Sequence, residues 1–380
     1  MSIEPLAGYT VGITAARRRE EFAAALERRG ARVISAPAIK IVPLADDREL
    51  HAATRRCLET PLDIVIATTG IGFRGWVEAA DTWGLADDLI KAIGGTTVLA
   101  RGPKARGAIR AAGLRETWSP ESESSSEVLE YLIARGDLEG KRIAVQLHGE
   151  PLPDVVQTLR LAGAEVIEVP VYRWVLPEDT APLNRLIHSV STAAVDAVAF
   201  TSAPAAASFL RAAREHGCAG VVRAALCGPV VTACVGPVTA GPFQSEGIRV
   251  VQPDRARLGA LVREIVTQLP RRRGVQLPAA GHLMDVRGHA VVVDGRLVPL
   301  TAAAMSVLRE LSAQPGHVVS RGHLLKVTPA DGGEHAVEVT VGRLRTALGD
   351  PRIIQTVVKR GYRLAYEPER SGSHDGSRRY

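Results

Sequence analysis

Residues 336–350, AVEVTVGRLRTALGD, decide the fold of the carboxyl-terminal part of this chain. Apolar residues recur here at intervals of four, three and four positions, and they are Val337, Val341, Leu344 and Leu348. This spacing puts them on one face of a helix, and Gly349 is typical of the position after a helix end. The polar residues opposite or beside that face are His335, Arg343, Arg345 and Thr346. The stretch therefore predicts an amphipathic helix over about residues 334–348 with basic residues outward.

The residues before this helix predict a hairpin and two shorter helices. Asp294-Gly295, between AVVV and LVPL, is a pair typical of a two-residue type I′ turn. Thr301 is placed to cap a helix that continues to about Ala313 and ends at Pro315-Gly316. Ser320 is placed to cap a short second helix. Together with the amphipathic helix, these elements give three helices behind a hairpin.

A second hairpin is predicted after the amphipathic helix, from IIQTVV and YRLAY with the basic tip Lys359-Arg360-Gly361. Three helices and a basic hairpin describe a winged helix-turn-helix domain over residues 284–367. A helix fits the major groove of DNA, about 12 Å wide, and a wing reaches the adjacent backbone. We expect contacts with double-stranded DNA from His335, Thr340, Arg343, Arg345, Thr346, Arg360, Tyr362 and Arg363.

The distribution of charge agrees with a polyanionic partner for this domain. Residues 271–380 hold 17 Lys and Arg against 10 Asp and Glu, whereas residues 1–270 hold 30 against 31. The excess of positive charge in the whole chain thus lies in its last third, which favours nucleic acid as a partner.

Other features of the composition indicate a cytoplasmic protein without a metal or a cofactor. No stretch approaches the roughly 18–20 apolar residues of a membrane-spanning helix, so we expect no membrane association. The amino terminus lacks the basic and apolar segments of a signal peptide. The cysteines form neither a CxxC pair nor a zinc spacing, which favours idle thiols in a reducing compartment. They are Cys57, Cys218, Cys227 and Cys234.

The first 270 residues contain an internal repeat with an offset of about 133. ALERRGARVISAP (25–37) aligns with TLRLAGAEVIEVP (158–170), and RGPKARGAIRAAGL (101–114) aligns with VGPVTAGPFQSEGI (235–248). A duplication of this length predicts two similar lobes, since solenoid repeats are only 20–50 residues long. Short apolar runs alternate with helical patterns in both copies, which predicts α/β lobes with parallel sheets.

Two further segments differ in composition from the domains. Residues 271–283, within PRRRGVQLPAAGH, have the Pro, Gly and charge content of a basic linker. Residues 368–380 are rich in Ser, Gly and Arg, and we expect this tail to be disordered.

The carboxyl-terminal motifs resemble the output domain of OmpR/PhoB-type response regulators. VDGRLVPLT, QPGHVVSRGHLL, AVEVTVGRLRTALGD and TVVKRGYRL occur in the order and spacing of that family. Ala304 stands where an acidic residue commonly completes the first helix cap, and His335 stands where an arginine commonly precedes the recognition helix. The duplicated lobes are too long for the single receiver lobe that such regulators place in front of this domain.

The duplicated lobes instead resemble uroporphyrinogen-III synthase. The matching stretches are RRGARVISAPAIKI, IATTGIG, ARGPKARGAIRAAGL, LRLAGAEVIEVPVYRW, VAFTSAPAAASFL and CVGPVTA. The resemblance implies that residues 1–38 and 174–270 form lobe one, and that residues 39–173 form lobe two. It also implies an enzyme that closes hydroxymethylbilane into uroporphyrinogen III without a cofactor, in a cleft between the lobes.

The family's motifs carry over to several positions that would bind a polycarboxylate ligand. These are Arg17, Thr69, Tyr172, Thr201, Ser202 and Thr239. Tyr172 is equally compatible with a half-buried strand tyrosine, and Thr239 with a helix N-cap. At three positions the chain departs from the family's pattern, with Ala105 in place of a threonine, Arg101 in place of a small apolar residue, and Ala15 in place of an arginine that is either replaced or shifted to Arg17. These departures disfavour catalysis more than ligand binding.

Three functions remain open at this stage. The first is a transcription regulator whose synthase-like domain senses a tetrapyrrole or another polyanion, similar to actinobacterial fusion regulators of nitrate and nitrite assimilation. The second is a working uroporphyrinogen-III synthase that also binds DNA. The third is a regulator whose body serves only for dimerisation or docking of a partner regulator.

Overall fold

The computed structural model describes residues 3–43, 48–121, 125–149, 152–328 and 333–366. The predicted disordered tail, 368–380, lies outside these residues. The chain divides into two compact units, Met1–Ile39 with Pro177–Tyr380, and Lys40–Leu176. No helix among the described residues is both long and apolar enough to span a membrane. Below, lobe one is residues 3–39 and 177–273, lobe two is residues 40–176, and the carboxyl-terminal domain is residues 275–366.

The elements follow in chain order. Residues 3–39 form β1 (Thr10–Ile13), α1 (Arg19–Glu27) and β2 (Arg32–Ser35). Lobe two contains β3 (Lys40–Pro43), α2 (Arg48–Glu59), β4 (Ile64–Ala67), α3 (Gly70–Thr82), α4 (Ala86–Gly94), β5 (Thr97–Ala100), α5 (Pro103–Ala111), α6 (Ser125–Arg135), β6 (Arg142–Gly149), α7 (Pro153–Leu161) and β7 (Glu165–Val175). The rest of lobe one contains α8 (Ala181–Ser191), β8 (Ala197–Phe200), α9 (Ala203–Glu215), α10 (Ala219–Cys227), β9 (Val231–Cys234), α11 (Pro237–Gln244), β10 (Val250–Val251) and α12 (Leu258–Arg273).

The carboxyl-terminal domain continues with β11 (Val275–Ala279), β12 (His282–Val286), β13 (Ala290–Val293), β14 (Arg296–Pro299), α13 (Ala302–Ala313), α14 (Arg321–Val327) and α15 (Gly333–Leu348). A short 3-10 helix, Pro351–Ile353, then leads into β15 (Ile354–Val357) and β16 (Gly361–Leu364).

Lobe one is built on a five-stranded parallel sheet in the order β10-β9-β8-β1-β2. The strands β9, β8 and β1 are buried along their whole length, as expected for strands whose two faces are covered by helices. Phe22 of α1 and Leu261 of α12 pack on one face against Val11. On the other face Leu186 of α8 lies over Gly12, where a Cβ would come within 2.4 Å of the leucine Cδ1. Glycine at this position therefore allows the helix to approach the sheet closely.

Lobe two has a five-stranded sheet in the order β3-β7-β6-β4-β5. All neighbours are parallel except β3 and β7, which pair antiparallel at one edge. The sheet therefore departs at that edge from the wholly parallel arrangement that the strand-helix alternation predicts. The strand that enters the lobe has no crossover helix before it, so an antiparallel edge position is open to it.

The sequence repeat is visible in the order of the strands. β9-β8-β1-β2 in lobe one corresponds to β5-β4-β6-β7 in lobe two. Thr201-Ser202 directly follow β8, and Thr68-Thr69 directly follow β4, as the alignment of the two copies requires. Gly102 and Gly236 are both N-caps, with a proline as the next residue of α5 and α11. The prediction of two similar α/β lobes is confirmed.

The carboxyl-terminal domain is a winged helix-turn-helix, as the sequence predicts. The Thr301 Oγ1 accepts a hydrogen bond from the Ala304 amide at 3.3 Å, and the Ser320 Oγ accepts one from the His323 amide at 3.2 Å. Asp294 and Gly295 have φ values of 48° and 79°, which is the conformation of a type I′ turn. On α15, Val337, Val341, Leu344 and Leu348 are all buried in the domain core.

The prediction of a linker over residues 271–283 is wrong. Residues 271–273 are the last residues of α12, and β11 and β12 pair as an antiparallel hairpin around a turn at Ala280-Gly281. Leu277 and Ala279 are buried in the core of the carboxyl-terminal domain, so this core extends upstream of residue 284. The proline and glycine content of the segment concealed an alternating strand pattern, and Pro270 lies in the last turn of α12, where it removes one helix hydrogen bond.

Candidate nucleic-acid interface and ligand site

The outward face of α15 presents most of the residues that the sequence singles out for DNA contact. His335, Arg343 and Thr346 are exposed, and the Arg343 side chain has no ion pair or hydrogen bond among the described residues. The Thr340 hydroxyl donates to the Ala336 carbonyl at 2.8 Å within the helix. This face therefore combines one free guanidinium with small hydroxyl side chains, a composition that can read base edges in a major groove.

Arg345 faces inward and holds the last hairpin. Its guanidinium donates hydrogen bonds to the Ile354 carbonyl at 2.6 Å and to the Thr356 Oγ1 at 2.9 Å. It also lies 5.9 Å from the ring centre of Tyr362, which is buried. Both side chains are thus engaged within the domain, and the sequence prediction that Arg345 and Tyr362 contact DNA stays a prediction. The partners of Arg345 are distant in sequence, so helix periodicity alone does not indicate them.

The wing is the hairpin of β15 and β16. The Arg360 side chain is exposed at its turn without a polar partner among the described residues, and Arg363 donates to the Gln355 Oε1 across the hairpin at 2.9 Å. Gly361 has a φ of 137°, and a Cβ there would lie 2.0 Å from the Val319 carbonyl oxygen. This close approach is matched by mutual backbone hydrogen bonds between Val319 and Tyr362. The wing is thus fixed to the segment that precedes α14.

Val358 was not identified from the sequence as part of this surface. It is an apolar side chain, 78% exposed, at the tip of the hairpin between Val357 and Lys359. An exposed apolar side chain among basic residues is suited to contact with sugars beside phosphates.

A charged tie links the sheet to the end of α15. His282 places Nδ1 2.6 Å from the Asp294 Oδ2 and Nε2 3.2 Å from the Asp350 Oδ2. Asp350 also accepts the Arg352 guanidinium at 2.7 Å, and the hydrogen bonds from Arg352 hold the pKa of Asp350 far below its usual range. Hydrogen bonds to Asp294 and Asp350 raise the pKa of His282 above its ordinary value of 6.5. A protonated His282 therefore stabilises the carboxyl-terminal domain.

In lobe two, the residues at the carboxyl ends of β4, β6 and β7 form a hydroxyl and amide cluster. The Thr69 Oγ1 accepts hydrogen bonds from the Gly72 amide at 3.2 Å and from the Gln146 Nε2 at 3.0 Å. The Tyr172 hydroxyl lies 3.5 Å from the same oxygen. Thr69 thus caps α3, and the predicted ligand residue Tyr172 lies beside it at the positive end of this helix.

Gln146 belongs to this cluster but was missed in the sequence. Its side chain is fully buried, and its Oε1 makes no hydrogen bond among the described residues. Gly72 leaves room for it, since a Cβ there would lie 2.2 Å from the glutamine Nε2. The available signal was a polar residue inside the apolar run RIAVQL.

In lobe one, the corresponding residues follow β1, β8 and β9. The Ser202 Oγ accepts from the Ala205 amide at 3.4 Å and caps α9, with half-buried Thr201 beside it. Arg17 is exposed in the loop between β1 and α1. Thr239 is buried inside the first turn of α11, whose N-cap is Gly236, so the alternative assignment of Thr239 as the N-cap is wrong.

The departures from the family's pattern lie at buried or half-buried positions. Ala15 and Ala105 are both 1% exposed, and their methyl side chains offer no polar group to a ligand. Next to Ala105, the carbonyl oxygen of Lys104 would lie 2.2 Å from a Cβ at Gly70. The start of α5 is therefore packed tightly against the start of α3.

Comparison with known proteins assigns both parts of the chain. Residues 20–263 match the family of uroporphyrinogen-III synthase HemD, and residues 295–364 match the family "Transcriptional regulatory protein, C terminal". The uncharacterized protein YjjA of Bacillus subtilis is 32% identical over 261 residues, 68% of this chain and 96% of that protein.

Two further relatives represent the two parts. The crystal structure of a mutant uroporphyrinogen III synthase from the extremely thermophilic bacterium Thermus thermophilus is 29% identical, with a TM-score of 0.57, over 68% of this chain and 99% of that one. Transcriptional regulatory protein CutR of Streptomyces coelicolor is 38% identical over 106 residues, 26% of this chain. The chain spans only 49% of that regulator. The chain belongs to the uroporphyrinogen-III synthase HemD family, and its two-lobed domain is joined to an OmpR/PhoB-type winged-helix DNA-binding domain.

Proposed function

We propose that this protein is a transcription regulator that binds specific DNA through α15 and the wing and senses a polyanionic ligand through its synthase-like lobes. The carboxyl-terminal domain supports the regulator class. The observation that carries the DNA-binding proposal is the pair of exposed cations without partners among the described residues, Arg343 on α15 and Arg360 on the wing.

Each exposed residue is given a role by its place in the domain. Arg343, in the middle of α15, reads base edges, where a bidentate arginine favours guanine. Arg360 and Arg363 of the wing neutralise phosphates, and His335 lies at the start of α15 where a phosphate contact is available. Arg345 acts on DNA binding only through the position of the wing.

Selection of sites from a random-sequence DNA pool by the full-length protein tests the DNA-binding proposal. The expected result is enrichment of one common motif, bound more tightly than scrambled DNA at the same salt concentration. Uniform recovery of all sequences would contradict specific recognition. Sedimentation of the bound complex then distinguishes a monomer from a homodimer on the selected site.

The sensing role is supported by the chemistry of the strand ends. Thr69, Ser202 and Gly236 cap helices whose amides and positive ends favour anions, and Gln146 and Tyr172 add polar groups beside them. A tetrapyrrole polycarboxylate is the ligand class that this chemistry and the family suggest. A link with nitrate and nitrite assimilation, implied by the resemblance to actinobacterial fusion regulators, is part of the proposal.

A second candidate is a bifunctional protein that retains uroporphyrinogen-III synthase activity. It is favoured by the two-lobed domain, which covers nearly all of the Thermus synthase, and by the Thr69, Gln146 and Tyr172 cluster. Conversion of hydroxymethylbilane, with separation of the enzymatic III isomer from the spontaneous I isomer, discriminates the two candidates.

A further inference from the structure

The carboxyl-terminal domain is attached to lobe one by hydrogen bonds to backbone carbonyls as well as by the chain. The segment between β12 and β13 meets the residues before β1. The His289 amide donates to the Gly8 carbonyl at 2.8 Å, and the Arg287 guanidinium donates to the Ala7 carbonyl at 2.7 Å. Gly8 has a φ of 87°, and a Cβ there would lie 3.1 Å from the Ala290 Cβ. We call this contact, together with Asp196 and its neighbours described next, the junction.

Asp196 is the centre of the junction. It directly precedes β8, is 3% exposed, and accepts a hydrogen bond from the Thr10 amide at 2.8 Å. Three basic groups face it from the surrounding elements: Arg273 at the end of α12, Arg309 of α13 and His289. The Arg273 Nη2 lies 3.8 Å from its carboxylate. A buried carboxylate is tolerated only with such partners, so lobe one and the carboxyl-terminal domain depend on each other here.

The covalent connection is equally short. In this described stretch only Gly274 separates α12 from β11. A Cβ on Gly274 would lie 2.7 Å from the Pro270 carbonyl oxygen and 3.0 Å from the hydroxyl of buried Tyr9. A larger side chain would clash at this position, and a connection of one residue restricts rotation of the carboxyl-terminal domain about lobe one.

The junction and the proposed ligand residues of lobe one lie at opposite ends of the same two strands. β1 and β8 pair in register, with Val11 opposite Ala197. At their amino ends lie Thr10 and Asp196, and at their carboxyl ends lie the loop of Arg17 and the Thr201-Ser202 pair. Four residues of strand, about 13 Å, therefore separate the two sites.

We propose that the junction is the contact through which lobe one sets the orientation of the DNA-binding domain, with β1 and β8 as the coupling element. The hydrogen bonds to Gly8 and Ala7 and the contacts of Asp196 support the attachment of the two domains. The transmission of a ligand signal rests on the proposed sensing function.

The variant Gly288→Ala tests the attachment. A Cβ at Gly288 would lie 2.0 Å from the Asp196 Oδ2, so it must displace the carboxylate from the Thr10 amide or push the two surfaces apart. Gly259→Ala in α12, with nothing within 4 Å of its Cβ, is the matched control. Hydrogen exchange on the full chain is followed at the Thr10 and His289 amides. We expect exchange at least roughly tenfold faster in Gly288→Ala and unchanged in the control. Unchanged exchange in Gly288→Ala would overturn the proposal.

Two further variants guard against simple misfolding. Asp196→Asn keeps the shape and the acceptor for the Thr10 amide but removes the charge, and it should loosen the His289 amide without altering exchange in β9. In Asp196→Ala with Gly288→Ala the clash is removed, so exchange at the His289 amide should be slower than in Gly288→Ala alone. If exchange at the His289 amide is no slower in the double variant, the methyl group added at residue 288 acts through a contact other than Asp196.

Transmission is tested with uroporphyrin III as the probe and a selected DNA site. The ratio of DNA Kd values with and without the probe should differ from one in the wild type. It should return to one in Gly288→Ala, although this variant still binds both molecules. A ratio that persists in Gly288→Ala would overturn the coupling role of the junction. A wild-type ratio of one would reject the sensing function and with it the signal, while the exchange data would still decide the attachment.

Discussion

The Arg345 guanidinium donates to the Ile354 carbonyl at 2.6 Å and so ties α15 to the first strand of the wing. The residue two positions earlier, Arg343, is exposed and has no polar partner in the described part of the chain. Two arginines of one helical turn therefore have different tasks, and one pair of substitutions can separate them.

Arg345→Met should lower the free energy of unfolding by about 1–2 kcal/mol, because the carbonyl of Ile354 loses a charged donor. Arg343→Met, the matched control, should leave stability within about 0.5 kcal/mol of the wild type. Urea unfolding of both variants measures this. Equal stability of the two variants would show that Arg345 does not hold the wing.

Arg343→Ala should weaken binding to the selected DNA site by about 1–3 kcal/mol and relax sequence preference at one base pair. Arg363→Ala should reduce the slope of log K against log salt by about 0.9, the effect of one phosphate contact. Fluorescence anisotropy across a salt series separates these effects. Arg263→Ala, at an exposed position of α12, is the control. Wild-type affinity in the Arg343 and Arg363 double variant would refute the assignment of α15.

The His282 tie should make stability depend on pH. The pKa of His282 is raised in the folded chain, so its contribution is complete below about pH 6.5 and is lost as pH rises through the raised pKa. The pKa values of Asp294 and Asp350 are lowered, so their contribution is lost only in acid. Urea unfolding from about pH 6 to 9 should show the loss, and His282→Gln should reduce this slope. His188→Gln, in α8, should keep the slope, and an identical slope in His282→Gln would contradict the prediction.

The purified protein should convert hydroxymethylbilane to the III isomer weakly or not at all. The reason is that Ala15 and Ala105 place methyl groups where the family's pattern has polar side chains. Chromatography of the oxidised products, with a uroporphyrinogen-III synthase as the positive control, measures the isomer ratio. Robust formation of the III isomer would establish the bifunctional candidate instead.

Ligand and DNA should influence each other reciprocally. If uroporphyrin III changes the affinity for the selected DNA site by a factor equivalent to about 1–3 kcal/mol, DNA must change the affinity for uroporphyrin III by the same factor. Calorimetric titrations with and without DNA test this equality. Measurable uroporphyrin binding with equal affinity in both titrations would leave the lobes as a scaffold.

Local patterns in the sequence were enough to predict the helices and the repeat. The spacing from Val337 to Leu348, the caps at Thr301 and Ser320, and the turn at Asp294-Gly295 each depend on neighbours a few residues away. Such features are specified by local sequence and are confirmed in the structure.

Long-range contacts explain what the sequence did not predict. Arg345 and Tyr362 are turned inward by partners on other elements. β11 was mistaken for a linker for a local reason, because the proline and glycine content of its segment concealed the strand pattern. In the sequence, Asp196 is an ordinary acidic residue before a strand, and only the folded structure brings Arg273 and Arg309 near it. The place of Gln146 in the polar cluster depends on its hydrogen bond to Thr69, which is far away in the chain.

The direct passage of α12 into β11 has a consequence for the operator. If the junction is maintained in solution, the DNA-binding domain presents its recognition helix at a fixed angle to lobe one. For two copies bound to one operator, the proposed attachment predicts one fixed separation of the half-sites. Because the groove rotates once in about 10.5 base pairs, half-sites separated by whole helical turns present their grooves on the same side of the DNA. We expect such a protein to discriminate operators by the spacing of their half-sites as well as by their bases.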